Sequence, residues 1–221
     1  MNKSENNYMP DLSKINLDEF KENLKTGRLL PSRKPLLENI DTKFARLKKA
    51  GLSNAETLRD TLKNSTKLKK LAEETDIEEK YLKILKREVN NLLPTPIKFN
   101  EIPDISKETL KKLISIGITD TEALFPYVCD IKSRNDFKSN YKFSEEEIQW
   151  LTKIVDVSRI KWVGPKLAGL IVDSKYDTVE KLANGKPAEV LKALNDAKNE
   201  KNNYQGSLGI NDIESWINQV V

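Results

Sequence analysis

The chain contains no histidine, and its 221 residues include a single cysteine, Cys129. The first absence removes the commonest general base, the usual activator of a serine or cysteine nucleophile, and the commonest metal ligand. The second excludes an internal disulfide, and together they exclude a structural zinc site built from Cys and His. Tyr127, Val128 and Ile131 around Cys129 point to a buried thiol rather than a nucleophile. No apolar run approaches the roughly 18 residues that crossing a bilayer requires, and Met1–Pro10 is polar, without the apolar segment of a secretory leader. A cytoplasmic protein without membrane contact is therefore expected, which leaves the Asn64-Ser65-Thr66 sequon without meaning. A phosphate-cradling loop of the P-loop kind is missing as well, and no motif supports carboxylate or lysine chemistry. The expected protein is not an enzyme, and it uses no metal, cofactor or small-molecule substrate.

The net charge, +4, is too small to announce a polyanionic partner by itself, so its distribution carries more information than its sum. Residues 31–100 hold 16 Lys and Arg against 10 Asp and Glu, whereas residues 161–221 hold 8 of each sign. Lys43, Arg46, Lys48 and Lys49, followed by Lys63, Lys67, Lys69 and Lys70, are candidates for a cationic surface. The competing reading is an ordinary solvated helix face, and it weighs more.

Apolar residues recur at helical spacing throughout, and no strand is predicted. Leu17, Phe20 and Leu24 mark a short first helix, and Tyr81, Leu82, Leu85, Val89 and Leu92 mark a long one after an Asp76 cap. Ser144 and Glu147 form a capping box ahead of the stripe Ile148, Leu151, Ile154 and Val155. Gly169-Leu170-Ile171-Val172 has strand composition but falls inside a helix begun at Pro165. Three segments resemble one another: Leu47–Leu58, Leu113–Leu124 and Ile171–Leu182. In each a helix ends near Gly51, Gly117 or Lys175, and a new one opens after Ser53, Thr119 or Asp177. Glu56, Glu122 and Glu180 follow three residues later, as capping boxes require. On this reading Thr119→Ala removes a helix cap. Proline clusters at Pro31–Pro35, Pro94–Pro96 and Pro103 mark breaks, with Pro94-Thr95-Pro96 the main linker, and Asn199–Gly209 reads as a loop. The predicted organisation is an all-α chain of tandem units: a flexible tail over 1–16, then units over 17–93, 97–155 and 156–221.

Ile160-Lys161-Trp162-Val163-Gly164-Pro165-Lys166-Leu167-Ala168 reads as a helix-hairpin-helix turn. Gly164 is expected to supply the backbone angles of a sharp turn, and Pro165 suits the first helical position, where its missing N–H is not needed. The free N–H groups and positive dipole end of the new helix, flanked by Lys161 and Lys166, form an anion site.

With Asp177–Leu182, Asn199–Lys201 and Trp216-Ile217, this turn makes Phe143–Val221 resemble the bacterial helix-hairpin-helix-like family known as domain of unknown function 4332. The resemblance implies an all-helical fold and no particular activity. The wider helix-hairpin-helix group grips nucleic-acid backbones through glycine-rich turns. This chain departs from the group in carrying Trp162 at the first turn glycine and no glycine near Ile40-Asp41 or Ile105-Ser106. Trp162 either stacks on an unpaired base or covers a repeat interface, and the scarcity of neighbouring lysines favours the second. Trp150 and Trp216 lie on apolar stripes and are expected in the core.

Two functions compete. In the first, the protein binds nucleic-acid phosphates without reading sequence, through Lys161, Trp162, Gly164 and Lys166 in the hairpin and Lys43, Arg46 and Lys49 in the basic N-terminal half. In the second, it is a scaffold for a protein partner, and the hairpins are only sharp helix connections.

Overall fold

The computed structural model describes residues 7–27, 29–201 and 204–220, which form α-helices and short 3-10 turns with no strand among them. The chain divides into two units, one spanning Met9–Leu93 and the other Pro94–Val221 together with the residues up to Tyr8. The division falls at the expected linker, where prolines 94 and 96 deny the chain helical hydrogen bonds. Residues 97–155 and 156–221 share a single unit. The expected tail is a correction: Tyr8 and Leu12 are both buried, Leu12 within a 3-10 turn over Leu12–Lys14, while residues 1–6 lie outside the described residues.

In the 9–93 unit, α1 (Leu17–Thr26) and α2 (Ile40–Lys49) flank a 3-10 turn over Pro31–Leu37. The chain then runs through α3 (Ala55–Lys63), α4 (Ser65–Thr75) and α5 (Glu79–Asn90). Leu17, Phe20 and Leu24 face Phe44 and Leu47, and the core continues through Leu58, Leu62, Leu82, Leu85 and Val89. These residues recur every three or four positions, so each helix buries one stripe. The proline-rich turn is tied in by Leu36, whose carbonyl accepts from the Tyr81 hydroxyl at 3.0 Å, and by Arg33, whose Nε lies 2.6 Å from Glu88.

The other unit carries α6 (Lys107–Ser115), α7 (Thr121–Val128), α8 (Ile131–Tyr141) and α9 (Glu145–Val157). It continues with α10 (Pro165–Asp173), α11 (Val179–Ala183), α12 (Pro187–Lys201) and α13 (Ile210–Val220). The expected loop over Asn199–Gly209 starts later than predicted. Asn199–Lys201 remain helical, since Ala197 is buried and Lys201 pairs with Asp173.

The first two of the three similar segments form junctions of common design. Gly51 and Gly117 adopt left-handed angles, φ 88° and 79°, which glycine takes without penalty. They let the Leu52 and Ile118 N–H groups close on the carbonyls of Leu47 and Leu113. The chain then runs extended and bridges an earlier segment. The Leu17 N–H donates to Ser53 and the Ala55 N–H to Ile15, just as Phe99 donates to Thr119 and Thr121 to Ile97.

The helix caps lie one residue along from the expected positions. The caps are Asn54, Asp120 and Thr178, not Ser53, Thr119 and Asp177. In the first two junctions the preceding residue is committed through its carbonyl to the bridge, and the next has the extended backbone that aims a side-chain oxygen at the first turn. Glu56, Glu122 and Glu180 thus stand in the first turn without completing a box, and the partner of Asn54 is Thr57. They complement the helix dipole instead. Asp76 is likewise not an N-cap: it ends α4 in a left-handed conformation, φ 50°, and α5 opens after Glu78 with no side-chain cap.

The box at Ser144 is formed as expected, with the Glu147 N–H on Ser144 Oγ at 3.1 Å and the Ser144 N–H on Glu147 Oε2 at 2.7 Å. Glu147 also accepts from the Thr109 hydroxyl and Lys112, which ties α6 to α9.

Asp120→Ala is expected to destabilise the protein by about 0.5–2 kcal/mol through the lost cap. Thr119→Ala, at an exposed residue that contributes only its carbonyl, is expected to change little. Denaturant melts of the two variants measure the difference, and equal losses would place the cap at Thr119 after all.

Candidate functional site

The segment Ile160–Ala168, expected to form the hairpin, carries the chain from α9 into α10. Ile148, Leu151, Ile154 and Val155 bury one face of α9, and Ser158 ends it with its N–H on the Ile154 carbonyl. Ile160 and Val163 then turn inward and are closed into a tight turn by the Val163 N–H on the Ile160 carbonyl at 3.2 Å. With both neighbours anchored, Trp162 is forced outward. It adopts a left-handed backbone, φ 67°, and leaves its side chain 66% exposed. A bulky residue rarely occupies this region, at a cost on the order of 1–3 kcal/mol.

Trp162 stands where the resemblance places the first turn glycine, and the backbone there still has a glycine-like conformation. Gly164, by contrast, needs no special angles: φ is −92° and ψ 179°, ordinary extended backbone, and an added Cβ would meet nothing within 4 Å. What Gly164 does provide is the absence of a cap. Pro165 opens α10 as expected, and no side chain accepts from its first turn. In the same unit α6, α7, α8, α9 and α11 are all capped by side chains, from Ser106, Asp120, Asp130, Ser144 and Thr178. The first-turn N–H groups of α10 therefore remain open to an anion. Lys166 is exposed and has no ion-pair partner among the described residues, while Lys161 is half-buried.

The second set of predicted residues lies in the other unit, on α2, and two of the three are committed internally. The Lys43 ammonium sits 3.9 Å from the centroid of the Tyr81 ring. Arg46 donates to the carbonyls of Thr75 and Asp76 and to the Asp76 carboxylate at 3.1 Å, so it closes the C-terminus of α4. Lys112 repeats this in the 94–221 unit, donating to the carbonyl of left-handed Lys142 at 3.2 Å. These cations serve helix ends. Lys49 remains exposed, whereas Lys48 pairs with Asp18 and Lys70 with Glu74.

Trp216 is buried and Trp150 half-buried. Cys129 is half-buried, and burial together with the neighbouring Asp130 carboxylate pushes its thiol pKa up, away from nucleophilic use. No helix among the described residues is long and apolar enough to cross a membrane.

Asp156 carries no local signal that sequence reasoning could have found. The Val179 N–H, which opens α11, donates to Asp156 Oδ2 at 2.8 Å, where the other two junctions use the carbonyls of Ile15 and Ile97. Burial raises the Asp156 pKa, and Glu180 adds to the rise. The Val179 N–H and Arg159, 3.6 Å away, offset only part of it. A raised folded-state value means that the residue's contribution to stability is complete below its unfolded pKa of about 3.9 and is lost as pH rises through the folded value. Asp156→Asn keeps an acceptor for Val179 without that charge. The melting temperature of Asp156→Asn relative to the parent protein is therefore expected to rise between about pH 4 and pH 7. A constant difference across that range would show that the carboxylate carries no such cost.

The family model described as "Domain of unknown function (DUF4332)" matches residues 103–220, more than half of the chain and all of α6–α13. No curated protein and no solved structure matches the chain.

Proposed function

We propose that this chain, which belongs to the DUF4332 family of domains of unknown function, is a non-enzymatic, cytoplasmic binding protein of tandem helix-hairpin-helix-like units whose α9–α10 hairpin takes a nucleic-acid phosphate. The observation that carries the reading is the uncapped start of α10, set beside exposed Trp162 and exposed Lys166. A phosphate oxygen at Gly164 accepts from the first-turn N–H groups of α10 and gains from its dipole, while Lys166 neutralises charge. Trp162 offers its indole face to an unpaired base. None of these groups reads a base edge, so binding is independent of sequence, with affinity on the order of 10⁻⁴–10⁻⁶ M at physiological salt. Lys43 and Arg46 take no part, since their charges are engaged inside the 9–93 unit.

A protein-binding scaffold is the second reading, favoured by the aromatic group on α7 and α8. Tyr127 and Tyr141 are exposed on either side of buried Phe137, each with ring centroids 5.0 Å from it, and Ile131 is exposed on α8.

Gly164→Asp tests the first reading with little risk to the fold. The backbone angles at residue 164 are those of a helix cap, so the carboxylate is expected to cap α10, raise stability by a few tenths of a kcal/mol, and abolish nucleic-acid binding by occupying the phosphate's place. Replacing both Lys161 and Lys166 by Glu is expected to weaken binding and reduce the salt slope by up to about 0.9 log unit for each phosphate left without its lysine. Fluorescence anisotropy with a labelled single strand and a duplex, across a salt series, supplies both readouts. Undiminished binding by Gly164→Asp, or no binding by the parent protein at low salt, would leave the scaffold reading in its place.

A further inference from the structure

We propose that Tyr8 is a latch that fastens the N-terminal segment to the 94–221 unit. This inference does not rest on nucleic-acid binding.

Tyr8 is 5% exposed between an exposed Asn7 and a half-buried Met9, so the segment is anchored there by one side chain. The Tyr8 ring meets the Phe125 ring edge-on, with centroids 5.8 Å apart, and its hydroxyl lies between two fully buried hydroxyls, Thr121 Oγ1 at 2.8 Å and Ser158 Oγ at 2.9 Å. The direction of each bond follows from the other partners. The Ser158 hydroxyl donates to the Val155 carbonyl at 2.7 Å, so it accepts from Tyr8. Thr121 Oγ1 accepts from the Ile97 N–H at 2.9 Å, which leaves its own proton for the Tyr8 oxygen. Ser158 keeps its bond to Val155 without Tyr8, but the Thr121 proton has an acceptor only while Tyr8 is in place, and an unpartnered buried donor is costly.

The socket is specific to this unit. Ala55 stands at the start of α3 where Thr121 starts α7, and it has no hydroxyl to offer. There the Ile15 N–H finds the Leu12 carbonyl of its own 3-10 turn. Ile97, preceded by Pro94-Thr95-Pro96, turns to the Thr121 hydroxyl instead. The same hydroxyl thus completes the linker on one side and receives Tyr8 on the other.

The socket also borders the hairpin. Ser158 is the residue that ends α9, two before Ile160, and the next, Arg159, lays its guanidinium over the face of Phe125 at 5.3 Å. Withdrawal of Tyr8 therefore loosens the start of the hairpin and the N-terminus of α7 together, while the linker at Pro94 is unbroken.

Amide hydrogen exchange of the full chain, read by mass spectrometry on peptides, tests the latch. Tyr8→Ala is expected to speed exchange about tenfold or more over residues 121–125 and 158–163 and to leave residues 55–90 unchanged. Tyr8→Phe keeps the ring and loses both hydroxyl bonds, so a smaller acceleration in the same peptides is expected, and it decides the matter if Tyr8→Ala fails to fold. Combining Tyr8→Phe with Ser158→Ala should give less than the product of the two single effects, because both remove the Tyr8–Ser158 bond. The latch is overturned if Tyr8→Phe leaves residues 121–125 and 158–163 unchanged. Equal acceleration over residues 55–90, or full multiplication of the two effects in the double variant, also overturns it.

Discussion

The helices of this protein are short, from five residues in α11 to fifteen in α12, so the fate of backbone hydrogen bonds at helix ends governs the rest of the structure. A helix of this length is marginal on its own, and each terminus leaves several N–H or C=O groups without an internal partner. Apolar stripes supply the driving force for packing, but they do not say where a helix stops or how the chain leaves it. Side-chain caps at Asn16, Asn54, Asn64, Ser106, Asp120, Asp130, Ser144 and Thr178 settle most starts. Left-handed residues at Gly51, Asp76, Gly117 and Lys142 settle several stops. Once the ends are fixed, the angle at which each buried stripe meets the next is fixed too.

Cations are drawn into the same task. Arg46 on α2 and Lys112 on α6 each reach a carbonyl at the end of the second helix further along the chain, at Asp76 after α4 and at Lys142 after α8. A positive charge suits that end of the helix dipole and replaces hydrogen bonds that the helix cannot make. The basic excess of residues 31–100 is therefore a poor measure of the charge open to a partner, because part of it is used at helix ends. The hairpin region, balanced in sign, presents the less encumbered lysine in Lys166.

The parts of the fold that were legible in the sequence are those decided over short separations. The stripes of α1, α5 and α9, the start of α10 at Pro165, and the Ser144 box with Glu147 all depend on neighbours within about two helical turns. The caps at the repeats failed by one residue because each offers two competent residues in a row: Ser53-Asn54, Thr119-Asp120 and Asp177-Thr178. In the first two, the choice between them is made by bridges to residues 15–17 and 97–99, far along the chain, and no local pattern reports it. Gly164 and Trp162 were exchanged in their roles for a similar reason. The left-handed residue is set by burial of Ile160 and Val163 on either side, and a tryptophan there has no local signature. Arg46 and Lys43 read as solvent-facing charges because their acceptors, Asp76 and Tyr81, are brought close only by the fold.

The third junction shows how such a system accommodates a change of partner. Two junctions satisfy their incoming N–H with a peptide carbonyl from an extended segment, and the third uses the side chain of Asp156, in the last turn of α9. No backbone hydrogen bond among the described residues links the chain between α9 and α10 to α11, and Trp162 in that chain projects outward. The exchange costs a partly buried carboxylate, which Arg159 only partly neutralises, and the Arg159 Nε in turn finds no acceptor among the described residues. A low local dielectric makes such an incompletely paired polar group costly. Between buried Ile160 and Val163 the same connection carries one exposed indole, beside the one start in α6–α11 that no side chain caps.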